Sequence, residues 1–125
     1  MIATRDIGAA AADALLRLAF RGKQTQELLG QRDLDYTEVA AIIGNGIGKP
    51  GLGYLQLPDD QMKGAMVQMG MSENLVGLIL EMAGALNGGH MRALEPRSAR
   101  NTTPTSYEIF AAEELVPAYQ QQAAA

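Results

Sequence analysis

Apolar residues recur in this chain at helical spacing, in short runs, and almost every run is closed by a glycine. Ile7, Ala10, Ala11, Ala14, Leu15 and Leu18 make the first stripe, from Thr4 to Phe20 ahead of Gly22, with Thr4 or Asp6 placed to cap its start. Asp35-Tyr36-Thr37-Glu38 has the D-x-x-E form of a capping box, and Val39, Ile42, Ile43 and Ile47 follow it up to Gly48. Asp59 opens a third run through Met62, Ala65, Met66 and Met69 to Gly70. Ser72 caps a fourth, with Leu75, Leu78, Ile79, Met82 and Leu86 before Gly88-Gly89. Thr105-Ser106-Tyr107-Glu108 reads as a second capping box, leading a fifth helix through Phe110 and Leu115 to Val116, where Pro117 bends or ends it. Such punctuation restricts the chain to helices of moderate length joined by tight stops.

Two segments break the helical period. Residues 23–29 and 52–57 read as strands, and with a helix between them they suggest a parallel β-α-β pair. The fold class expected is therefore α+β, mainly helical, with about five helices and a small parallel strand pair. Residues 1–119 are expected to form one domain and 120–125 a flexible tail. Residues 90–104 show no period and read as a loop carrying Arg92, Arg97 and Arg100.

With 125 residues, 47% of them apolar and 19% charged, the chain has enough material for one modest core. It has no cysteine, which removes disulfides, thiolate metal sites and a cysteine nucleophile. A single histidine, His90, removes most multi-histidine centres. The net charge of −4 gives no electrostatic reason to bind nucleic acid. No apolar run approaches the roughly 18 to 20 residues of a membrane span, and MIATRDIG lacks the build of a signal peptide. A cytoplasmic location is the expectation.

Residues 46–51 spell G-x-G-x-x-G, the string of dinucleotide-binding turns, but it follows a helix and contains Pro50, so it reads as a helix stop. Lys49 followed by Pro50 also fails the phosphate-loop pattern. Asp59-Asp60 suits a helix N-terminus, and Glu113-Glu114 reads as solvent-facing. No tyrosine has a lysine four residues on. The residues left as candidates for a substrate cleft are Met66 and Met69 on a helix stripe, with His90 and Arg92 in the loop after the fourth helix.

Several ordered pieces carry a family resemblance. They are Thr4-Arg5-Asp6-Ile7-Gly8-Ala9-Ala10, Glu27-Leu28-Leu29-Gly30 before Asp35-Tyr36-Thr37-Glu38, Gly48-Lys49-Pro50, and Met71-Ser72-Glu73-Asn74. Asn101 through Phe110 and Val116-Pro117-Ala118-Tyr119 complete the set. The chain resembles the C-terminal part of NmrA-like proteins, in the atypical short-chain dehydrogenase/reductase superfamily, over nearly its whole length. The resemblance implies the substrate or effector side of an NAD(P)-binding oxidoreductase or redox-sensing regulator. The N-terminal Rossmann half is absent, so NAD(P) is implied only for a full-length parent and no cofactor for this chain. The partners expected are a small-molecule ligand and a second copy, through the face that would meet the missing half. A helical binding or assembly module without redox chemistry is the alternative, and a self-contained enzyme is the least favoured reading.

Overall fold

A computed structural model of the chain describes residues 1–123. Its helices are α1 (Thr4–Arg17), α2 (Tyr36–Gly46), α3 (Asp59–Gln68), α4 (Glu73–Asn87), α5 (Tyr107–Phe110), a π-helical turn (Ala111–Leu115) and α6 (Val116–Ala123). The last three run on without a break. The chain divides into two units, one of residues 1–54 and 95–125 and the other of residues 55–94.

The smaller unit is a helical hairpin of α3 and α4. Asp59 and Asp60 occupy the first turn of α3, where carboxylates complement the exposed amides. Gly70 takes φ +92°, and the Met71 amide closes back on the Met66 carbonyl at 3.2 Å, the bond of a left-handed helix stop. Ser72 then caps α4 by accepting from the Leu75 amide at 3.3 Å, as the sequence predicts. Val76, in the first turn of α4, is fully buried. Gly89, at φ +72°, ends α4, and the His90 amide returns to the Ala85 carbonyl at 2.9 Å.

In the larger unit α2 packs on α5 and the π turn. Its capping box is complete, with the Glu38 amide donating to Asp35 and the Asp35 amide donating to Glu38. Gly46 allows the close approach: a Cβ there would sit 2.7 Å from Val116 Cγ2. Arg32 bridges Glu38 at 2.9 Å and Glu108 at 2.7 Å, so it ties the segment before α2 to α5. Pro117 does not end the last helix. The π turn immediately before it widens the coil, with the Val116 amide reaching the Ala111 carbonyl, and this accommodates the ring that would clash with an α-helical carbonyl. The helix therefore continues through Ala123, across part of the segment expected as a tail; residues 124–125 lie outside the described residues.

The expected strand pair is corrected. Among the described residues there is no strand, only a single parallel bridge between Leu29 and Thr102. The Leu29 amide donates to Asn101 at 2.6 Å and the Thr103 amide donates to Leu29 at 2.9 Å. It cannot lengthen in either direction. Upstream, the Asn101 amide that the next rung would need is held on the Ser98 carbonyl, and downstream the Thr105 amide is taken by Asp6. Residues 52–57 find no ladder partner; Leu52 turns back on the Lys49 carbonyl and Tyr54 stacks on Tyr36 at 5.3 Å.

Apolar burial is thin. Among the described residues the buried apolar side chains are Val39, Val76 and Ala111, against Asp6, Asn101, Thr103 and Ser106 among the polar ones. The accessible surface is 9609 Å². A compact monomer of this mass exposes roughly 6,500 Å², and two separate compact bodies of the units' sizes about 7,700 Å². The surplus is apolar in good part, as Leu15, Leu16, Leu18, Leu78 and Leu86 are all more than half exposed.

Candidate functional site

The chain's two distant ends meet at Asp6. Sequence spacing makes Asp6 or Thr4 a cap for α1, but the N-cap position is Ala3 and no side chain caps it. Asp6 instead turns away and accepts from the Thr105 amide at 3.0 Å and the Thr105 hydroxyl at 2.7 Å. Thr105 is thereby removed from the capping box expected of it. Ser106 takes over one residue later, accepting from the Ile109 amide at 3.2 Å, and Glu108 is left to pair with Arg32. Burial pushes the Asp6 carboxyl up, yet the Thr105 donors outweigh it and hold the group below its ordinary value. The buried Thr103 hydroxyl, with no formed hydrogen bond of its own, adds a weaker pull in the same direction. Arg5 reinforces the junction from the next position, reaching Glu113 at 2.7 Å and Glu114 at 3.8 Å. The acidic pair faces solvent, as its sequence suggests, and is paired with Arg5 there.

Beside this junction lies a hollow of about 300 Å³. Met1 to Thr4 form one side, and Thr105, Ser106, Tyr107 and Phe110 the other. The Tyr107 and Phe110 rings sit 6.0 Å apart at 42°. Burial raises the Tyr107 phenol above its ordinary value, so it stays neutral and able to donate. The walls are apolar with a few hydroxyls and include no carboxylate, and Asp6, which holds the lining residue Thr105, accepts from it through both oxygens. Such a lining can hold an apolar group and orient it by hydroxyl contacts. It brings together no nucleophile with a base. A second hollow of about 370 Å³ opens where Ile42, Asn45 and Gly46 face Glu108, Ala111, Ala112 and Val116.

The four residues picked out from sequence lie in the smaller unit and line neither hollow. Met66 is half-buried and Met69 is 76% exposed. The His90 backbone closes α4, and its imidazole Nδ1 is what a Cβ on Gly88 would meet at 3.0 Å. Arg92 donates to the Gly89 carbonyl at 3.0 Å. Of the other loop arginines, Arg97 donates to the Gly30 carbonyl and to Asp33, a structural clasp. The loop itself is ordered by Asn101, which is 2% exposed: it accepts from the Ser98 amide at 2.7 Å and donates to the Pro96 carbonyl at 3.1 Å.

The G-x-G-x-x-G string does not fit a dinucleotide. The amides of Ile47, Gly48 and Lys49 are donated to Ile43, Asn45 and Gly44, so they close α2 instead of facing a phosphate. Lys49 reaches Tyr119 from seventy residues away, its ammonium donating to the phenol oxygen at 2.9 Å. That contact raises the Lys49 pKa, the opposite of what a proton-accepting lysine needs. Among the described residues no three His, Cys, Asp or Glu side chains are grouped to hold a metal ion, and no helix is long and apolar enough to cross a membrane. No protein-family model, curated protein or solved structure matches the chain.

Proposed function

We propose that this chain is the ligand-cleft portion of an NmrA-like NAD(P)-binding oxidoreductase or redox-sensing regulator. In this reading it supplies a wall of a small-molecule site, and the nucleotide is bound by a separate Rossmann half. One observation carries the reading. The first and last of the long pieces of the resemblance, Thr4 to Ala10 and Asn101 to Phe110, are joined through Asp6 and Thr105, and beside that junction the second piece and Thr4, with Met1 to Ala3, wall an apolar hollow. The hollow offers shape and hydroxyls without an acid–base pair, which suits a specificity wall better than a reaction centre.

Calorimetric titration with NADPH tests this, on the chain alone and on its mixture with the Rossmann half of an NmrA-like protein. The expected result is saturable binding in the mixture only. Saturable binding or reductase turnover by the 125 residues alone, or a mixture no better than its parts, would refute it.

A further inference from the structure

We infer that the hollow between α2 and the π turn binds a primary ammonium group carried on a short apolar chain. The inference stands on this second hollow and does not depend on the cleft reading. Its origin is Pro117. In an α-helix the Ala112 carbonyl would accept from the Val116 amide, but the π turn sends that amide to Ala111. A π-helical bond to Ala112 would then have to come from residue 117, and a proline has no amide to give. The Ala112 carbonyl is left without a backbone donor inside a helix that runs on through Ala123. Ala112 and Val116, on either side of this gap, both line the hollow.

The rest of the lining decides what the gap can take. Ile42, Ala111 and Val116 are apolar, and Asn45 and Glu108 join the Ala112 carbonyl as its polar members. The Asn45 side chain has no hydrogen-bond partner among the described residues. Arg32 engages Oε1 of Glu108 at 2.7 Å, and that hydrogen bond holds the carboxyl below its ordinary value, so it is ionised at neutral pH. Glu108 is the one charged residue in the lining; Arg32 and Lys49 lie outside it, each held by its own partners. The lining is therefore rich in acceptors and carries a negative charge. An ammonium group has three N–H bonds and no acceptor, one donor for each of the Ala112 carbonyl, Asn45 Oδ1 and Glu108 Oε2. An anion would meet the charge of Glu108, and an alcohol has a single O–H to share among the three. The volume of about 370 Å³ leaves room beyond the head group for an alkyl chain against Ile42 and Val116.

The test is heteronuclear NMR of the isotope-labelled chain titrated with hexylammonium chloride, with hexanol as the neutral control. Hexylammonium should shift the amides of residues 42–46 and 111–116 and the Asn45 side chain together, with a Kd of about 1 mM, as a ligand of its size allows. Hexanol should bind about tenfold more weakly. Pro117→Ala supplies the missing amide and lets the helix run on as α, with the Val116 amide returning to Ala112. That variant should fold at least as stably as wild type, yet lose about tenfold in hexylammonium affinity. Asn45→Asp should tighten hexylammonium about fivefold and Asn45→Lys should abolish its binding. Neither should disturb the fold, because the Asn45 side chain holds no partner. The inference is overturned by the absence of saturation up to about 20 mM, or by hexanol binding as tightly as hexylammonium. It is overturned equally by shifts centred outside this hollow, as on Thr105 and Tyr107 of the first, or by Pro117→Ala or Asn45→Lys binding like wild type.

Discussion

Asp6→Asn is the substitution on which the larger unit depends most visibly. Asp6 is 7% exposed and accepts two hydrogen bonds from Thr105, at 3.0 Å from the amide and 2.7 Å from the hydroxyl. An asparagine keeps one acceptor and turns an NH₂ toward the other donor. Hydrogen bonds to a charged group contribute about 1.5–3 kcal/mol each, so one lost and one weakened should cost about 2–4 kcal/mol. Since α1 is held by its first turn, the loss should fall there first. Urea denaturation followed by circular dichroism reads the total, and hydrogen exchange on peptides covering residues 1–18 reads the location. The comparator is Asp13→Asn, whose ion pair with Arg17 is well exposed and should cost under about 0.5 kcal/mol. If the two variants unfolded within about 0.5 kcal/mol of each other, Asp6 would not be the anchor described and the reasoning would fail.

The remaining predictions follow from the same contacts. Asp6 and Glu108 both sit below the ordinary carboxylate value, Asp6 because the Thr105 donors overcome burial and Glu108 because of its hydrogen bond to Arg32. A depressed carboxyl contributes stability that is present above its unfolded pKa, about 4, and is lost as pH falls through the lower folded value. Stability should therefore fall off below about pH 4, and Asp6→Asn should flatten that acid limb in a pH series of urea midpoints. Gly46→Ala should destabilise by about 1–3 kcal/mol through its clash with Val116, and a double-mutant cycle with Val116→Ala should recover part of that loss. Val76→Ala should cost about 1.5–2.5 kcal/mol, with faster hydrogen exchange confined to α3 and α4. Asn101→Ala should cost about 2–3 kcal/mol, since it orphans the Ser98 amide and the Pro96 carbonyl, read as lost protection across 96–103.

What the sequence discloses is local. Ser72, Gly70, Gly89 and the Asp35–Glu38 box lie within a few residues of the groups they satisfy, so their roles can be read without knowing the fold. What it conceals is pairing at long range. Residues 23–29 and 52–57 have strand-like composition, but the one bridge that forms, at Leu29, is cut short where Ser98 and Asp6 take the Asn101 and Thr105 amides, and no periodicity reports that. Asp6 and Thr105 each look like caps because both are good cap residues; only their meeting across 99 residues reassigns them. Pro117 signals a bend or an end, and the π turn that absorbs it leaves no mark in the pattern of residue types. The hollow escapes a sequence reading for the same reason as the junction beside it. His90 and Met69 stand out as unusual residue types, while Tyr107 and Phe110 look like ordinary helix residues.

The cleft reading is tested most directly by fluorine NMR of the chain labelled with 3-fluorotyrosine. Of its four tyrosines only Tyr107 lines the hollow by the Asp6 junction; Tyr36 and Tyr54 stack together and Tyr119 holds Lys49. The spectrum is followed as the Rossmann half and then NADPH are added. The account predicts that the Tyr107 resonance moves and saturates while the other three stay in place. A Tyr107 signal that never moves, with a saturating shift at Tyr36, Tyr54 or Tyr119, would contradict it.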